Sequence, residues 1–106
     1  MLLGGSPVVG IMHASGVLAD ATLRNQTLRG IRTVYAPKIS ALQQLARGAG
    51  LQQGAFQLLF SSVAALLGSA GQANYSSANA ALDGLAEISE SQVSCLALMP
   101  CPHVAA

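Results

Sequence analysis

Charge is scarce in this sequence. Only 8% of its 106 residues are Asp, Glu, Lys or Arg, while 52% are hydrophobic; about 25% charged is usual for a soluble domain. Tryptophan is absent, aromatics make up 4%, and the net charge is +1 with no basic cluster, so nucleic-acid binding lacks both the electrostatic patch and the stacking platforms it needs. Arg24, Arg29, Arg32, Lys38 and Arg47 are the basic residues, and three of them fall on one predicted helix as a solvated face. Long apolar runs are absent too. Ser, Gly and Gln break every one before the ~18 residues that a membrane span requires. The apolar excess therefore belongs to part of a domain whose missing partner would cover its faces. Cysteine is limited to Cys95 and Cys101, with no histidine at zinc spacing. No metal site is expected, and the two read as free thiols of a reducing, cytoplasmic compartment. Met1-Leu2-Leu3-Gly4-Gly5 carries no positive charge and no long apolar core, unlike a secretory signal. The length suits one small domain.

What is present alternates. Pro7 to His13 is a short, β-branched apolar run, as in a strand buried on both faces. Ala14-Ser15-Gly16 turns, and Val17 to Asn25 reads as loop or irregular helix containing Asp20. Thr27 is placed as an N-cap. After it Leu28, Ile31, Val34, Tyr35, Ile39, Leu42 and Leu45 recur at helical spacing to about Ala46. Pro37 inside this stripe predicts a bend at Ala36-Pro37, and Gly48 and Gly50 end the helix. Ala55 to Val63 is a second buried strand, and Leu66 to Gly71 a loop. Gln72 to about Glu90 is an alanine-rich helix, and Val93 to Met99 a third strand stopped by Pro100. Strand–helix alternation implies a parallel sheet with right-handed crossovers. Ligands bind such sheets beyond the carboxyl ends of the strands, here Ala14-Ser15-Gly16, Ser61-Ser62 and Met99-Pro100.

Chemistry-bearing residues gather at those ends. Ser61 and Ser62 close the second strand; Tyr75 and Asn79 lie one turn apart on the next helix. A phenol that gives a proton and a hydroxyl that holds the same oxygen are what carbonyl reduction needs. A free tyrosine titrates near ~10, so a cation must stand beside it for acid–base work at neutral pH. Lys38, the chain's single lysine, is the candidate. Taken alone, a Tyr and an Asn at this spacing are more often structural than catalytic, and paired serines at a strand end more often make a turn or a cap. His13 reads as a packing or backbone-bonding residue rather than a base, and His103 as a solvated tail residue.

The run Phe60-Ser61-Ser62-Val63-Ala64-Ala65-Leu66-Leu67-Gly68-Ser69-Ala70-Gly71-Gln72-Ala73-Asn74-Tyr75-Ser76-Ser77-Ala78-Asn79-Ala80 resembles the active-site stretch of polyketide synthase ketoreductases, members of the short-chain dehydrogenase/reductase superfamily. His13-Ala14-Ser15-Gly16-Val17-Leu18 is similar to that family's His-Ala-Ala-Gly-Val-Leu segment, and Ala36-Pro37-Lys38 to its Ala-Pro-Lys segment. The likeness runs from about Val8 to Leu98. It implies a Rossmann-type, three-layer α/β fold with a parallel sheet, represented by its later strands and helices, so that residues 1–106 form a partial ketoreductase domain. It implies Tyr75 as proton donor, Ser62 holding the substrate carbonyl, and Lys38 and Asn79 completing a tetrad. Lysine comes from the preceding helix and asparagine stands four after the tyrosine, as in these ketoreductases and in animal-type fatty acid synthases. Ser15, Gly16, Tyr75 and Lys38 would meet the nicotinamide end of NADPH.

The implied reaction is reduction of a β-ketoacyl thioester to a β-hydroxyacyl thioester, the acyl chain riding on the phosphopantetheine arm of an acyl carrier protein. Leu18-Ala19-Asp20 keeps the first and last residues of the subtype motif Leu-Asp-Asp, and Leu67 stands where the other subtype has tryptophan, a lean towards the D-alcohol. Two family features are missing: the Gly-rich turn that seats the pyrophosphate, and a Trp-Gly segment after the last strand. Three readings follow: a piece of a larger synthase that needs the rest of the domain, a non-catalytic remnant acting as an interaction fragment, and a small enzyme with a rearranged cofactor site.

Overall fold

The computed structural model of the chain describes residues 5–88 and 93–96. Leu98 to Pro100, Cys101, His103 and the end of the last helix towards Glu90 lie outside the described residues. Three parallel strands, β1 (Val8–His13), β2 (Leu51–Phe60) and β3 (Val93–Leu96), form one sheet in the order β1-β2-β3. The first crossover runs through a 3₁₀ turn (Leu23–Asn25), α1 (Leu28–Tyr35), a π-helical turn (Ala36–Ser40) and α2 (Ala41–Gly48). The second runs through α3 (Ala64–Leu67) and α4 (Ala73–Ile88). Both crossovers step the same way along the sheet. Right-handed connection therefore puts both helical tracts on one face, and α1 and the π turn indeed pack against α4. The parallel α/β arrangement expected from the sequence is present, with the sheet and one of its two helical layers described.

Local chemistry explains most of the boundaries. Thr27 Oγ1 accepts the Gly30 N–H at 3.0 Å and caps α1, a contact worth about 1 kcal/mol. The bend expected at Pro37 takes a specific form. Proline has no N–H for the carbonyl four residues back, and the tract widens into a π turn in which the Ala41 N–H reaches the Ala36 carbonyl. α2 ends at Gly48, and Gly50 follows with φ of 63°, left-handed backbone that glycine adopts without penalty. β2 begins at Leu51, before the expected Ala55. Its register against β1 jumps from Val8–Leu51 to Gly10–Phe56, leaving an irregular stretch around Gly54, whose φ is 79°. The expected loop at Leu66 instead begins as a short helical turn.

The core lies between sheet and helices. Leu59 packs with Leu42 and Leu82, and Tyr75 with Val34, Ala64 and Ala78. The buried residues of the first helical tract are Val34, Lys38 and Leu42. Leu28, Ile31 and Leu45, expected in the apolar stripe, are exposed, and a lysine sits within its buried line. Arg29 and Arg32 are solvated as expected; Lys38, on the same tract, is only 4% exposed. β1 was expected to be buried on both faces, but on the side away from the helices Met12 is 64% exposed and Phe56 lies open beside it. No described element packs there.

Candidate active site

Among the described residues seven that are polar or charged are buried: His13, Lys38, Ser61, Ser62, Gln72, Asn74 and Asn79. They sit at the carboxyl ends of β1 and β2 and on the tracts packed against those ends. Burying a lysine in an apolar stripe costs several kcal/mol unless its ammonium is bonded. Here Nζ donates to the Phe60 carbonyl at 2.8 Å, at the last residue of β2. The same Nζ stands 5.9 Å from the centroid of the Tyr75 ring, within the reach at which a cation and an aromatic ring attract. The structure therefore brings Lys38 and Tyr75 together on one side of the sheet.

The remaining expected residues are placed as follows. Ser62 is buried at the mouth of β2 and its Oγ accepts the Ala64 N–H at 3.2 Å; Ala64 packs with Tyr75. Since that bond uses Oγ as an acceptor, the Ser62 hydroxyl keeps its own proton to donate. Its neighbour Ser61 turns to the Asn79 carbonyl at 3.2 Å, pinning β2 to α4. Asn79 is fully buried. Its Nδ2 donates to the Tyr75 carbonyl at 2.9 Å, one turn back, while Oδ1 has no protein partner. A buried acceptor without a protein donor marks a place for a water or a ligand group. The carboxamide is thus tied to the backbone of Tyr75, and its free capacity lies at Oδ1. Ser15 and Gly16 are exposed just past the end of β1. A Cβ on Gly16 would come 3.5 Å from Lys38 Cε and 3.8 Å from Nζ, so the loop backbone passes against the lysine.

Sequence reasoning overlooked a set of links that hold this geometry. The loop after β1 is fastened to the segment before Tyr75 at three points. Asn74 Nδ2 donates to the Ala19 carbonyl at 2.7 Å, Gln72 Nε2 to the Asp20 carboxylate at 3.2 and 3.3 Å, and the Ala21 N–H to the Gly71 carbonyl at 2.9 Å. Asn74 Oδ1 also accepts the Tyr75 N–H at 2.7 Å, so one side chain bridges the tyrosine to the opposite loop. The only signal in the sequence was two carboxamides, Gln72 and Asn74, within three residues of Tyr75. Among the described residues no group of His, Cys, Asp and Glu could hold a metal, and no helix is long and apolar enough to cross a membrane.

The parallel α/β sheet agrees with what comparison with known proteins finds. A family model described as the KR domain matches residues 3–100. The chain belongs to the KR domain family. It is 46% identical over 80 residues to the phenolphthiocerol synthesis polyketide synthase type I Pks15/1 of Mycobacterium bovis, covering 76% of this chain and 4% of that protein. It is 42% identical over 83 residues to the pikromycin polyketide synthase component PikAII of Streptomyces venezuelae, covering 76% and 2%. Among solved structures, an A-type ketoreductase from a modular polyketide synthase superposes with a TM-score of 0.74 at 34% identity, over 87% of this chain and 20% of that one. The first ketoreductase of the tylosin synthase superposes with a TM-score of 0.68 at 35% identity, over 84% and 20%. The chain thus spans a few per cent of the length of these curated relatives and about a fifth of these solved chains.

Proposed function

We propose that the chain supplies the reacting part of an NADPH-dependent β-ketoacyl reductase within a larger synthase. The observation that carries this reading is the buried Lys38 ammonium 5.9 Å from the Tyr75 ring at the carboxyl ends of β1 and β2. An ammonium beside a phenol favours the phenolate and so makes the phenol a better acid at neutral pH. Tyr75 gives its proton to the ketone oxygen of a β-ketoacyl thioester. Ser62 donates its hydroxyl proton to the same oxygen and holds it as charge develops. Lys38 keeps the phenol acidic, and Asn79, through its unpartnered Oδ1, orders a water or a cofactor hydroxyl behind Tyr75.

NADPH, when bound, supplies the hydride. The backbone of Ser15-Gly16, passing against Lys38 at an open strand end, fits its nicotinamide end. Among the described residues no Gly-rich strand–turn–helix stands ready for the pyrophosphate. That half of the cofactor is assigned to the preceding part of the domain, whose elements would also cover the open face at Met12 and Phe56. The substrate arrives on the phosphopantetheine arm of an acyl carrier protein, and the retained Leu18 and Asp20 lean the product towards the D-alcohol.

One relative supports the remnant reading. A Mycobacterium tuberculosis polyketide synthase, 46% identical over 80 residues, is provisionally named inactive. The test is turnover of a β-ketoacyl thioester with NADPH by the chain alone and by the chain joined to the preceding half of a KR domain. The joined protein is expected to form the β-hydroxy thioester, and the chain alone far less. No product from either leaves the remnant reading standing.

A further inference from the structure

We infer that His13 is a positioning residue for Lys38, holding the carbonyl of the lysine and thereby fixing the π turn that presents its ammonium to Tyr75. The inference rests on the acid–base pairing of Lys38 and Tyr75 proposed above and adds a residue that acts through it.

Three observations carry it. First, His13 is buried, 3% exposed, and its Nε2 donates to the Lys38 carbonyl at 2.9 Å across 25 residues of chain. A carbonyl only accepts, so Nε2 must carry a hydrogen. On the same face of the sheet, Ile11 and Leu59 fill comparable positions with apolar side chains. An imidazole there supplies a bond that an apolar side chain cannot make. Second, the bonded carbonyl lies in the π turn, a rare form that recurs at functional sites. The widening that Pro37 imposes sets the direction in which Lys38 projects, so whatever holds the turn aims the lysine. Third, Lys38 is fixed at both of its ends. Its carbonyl is held by the last residue of β1, and its ammonium donates to the Phe60 carbonyl at the last residue of β2. His13 and Leu59, the residue before Phe60, are register partners in the sheet. Two adjacent parallel strands thus grip one lysine between them, and the ammonium can stay beside the Tyr75 ring only while both grips hold.

The test is a titration of the Tyr75 phenol by its ultraviolet phenolate absorbance, on the full chain in a Tyr35→Phe background and without cofactor. Tyr35 packs against the Tyr75 cluster and is removed to leave one phenol. The charged or titratable groups on the surrounding elements are Lys38 on the π turn, His13 on β1, Asp20 on the loop after β1, which Gln72 engages, Arg29 and Arg32 on α1, and Asp83 and Glu87 further along α4. Lys38→Met is expected to raise the Tyr75 midpoint by about one pH unit or more. His13→Phe is expected to raise it in the same direction, and to add nothing when Lys38→Met is already present. His13→Gln, which keeps a side-chain N–H donor, is expected to return the midpoint most of the way.

If Lys38→Met moves the midpoint and His13→Phe does not, or if the two shifts add, the positioning role is overturned while the reductase reading stands. If Lys38→Met moves nothing, the acid–base pair itself fails, and the inference with it. Should His13→Phe not fold, the imidazole nitrogen chemical shifts of the parent chain decide. A hydrogen on Nε2 supports the grip, and a hydrogen on Nδ1 overturns it.

Discussion

The two sides of this small sheet invert the usual distribution of polarity. At the carboxyl ends of β1 and β2, His13, Lys38, Ser61, Ser62, Gln72, Asn74 and Asn79 are buried. On the face away from the helices, Met12 and Phe56 are exposed, and Phe56 closes over Gly10, where a Cβ would collide with its ring. Burying polar groups opposes folding unless each is bonded, and leaving large apolar groups in water forgoes the main driving force. A chain that does both has one region shaped by chemistry and another shaped by contact with something else. The hydrogen bonds bear out the first half: side chains at the polar end are linked to carbonyls and one carboxylate across long sequence separations.

This contrast can be broken or sharpened by substitution, with thermal or denaturant unfolding as the measure. The largest loss is expected in the core shared by both regions. Leu82→Ala removes a fully buried side chain between Leu42 and Leu59 and is expected to cost about 2–5 kcal/mol. Asn74→Ala leaves the Ala19 carbonyl and the Tyr75 N–H without their side-chain partner, a loss of about 1–3 kcal/mol. A smaller loss would mean the loop clamp is dispensable. Thr27→Ala deletes the cap of α1, for about 1 kcal/mol, and Thr27→Ser is expected to restore it. Met12→Ser on the open face is expected to change the chain's stability by less than about 0.5 kcal/mol, yet to weaken association with a preceding half of the domain. A large loss in the chain alone would show that this face is already part of a core.

The boundaries that local chemistry decides were legible in the sequence: Thr27 as a cap, a bend at Pro37, the halt at Gly48 and Gly50. What the bend becomes was not, because a π turn depends on the partners its carbonyls find, and His13 is 25 residues away. The start of β2 was misplaced since the irregular register around Gly54 breaks the apolar run that marks a strand. The apolar stripe was drawn through Leu28, Ile31 and Leu45, which are exposed because no described element covers them. Lys38 was passed over as an inward residue because composition sends lysines outward, although the need for a cation beside a tyrosine had already made it a candidate. The links from Asn74 to Ala19 and from Gln72 to Asp20 cross 55 and 52 residues, and no periodicity can foresee where two loops will meet.

The most direct measurement of the central claim is the rate of NADPH consumption with a β-ketoacyl thioester by a complete KR domain carrying this segment, with Tyr75 and with Tyr75→Phe. Loss of the phenolic proton donor is expected to lower the rate by about 10²–10⁴-fold while NADPH binding persists. Turnover that survives unchanged in Tyr75→Phe would contradict the account.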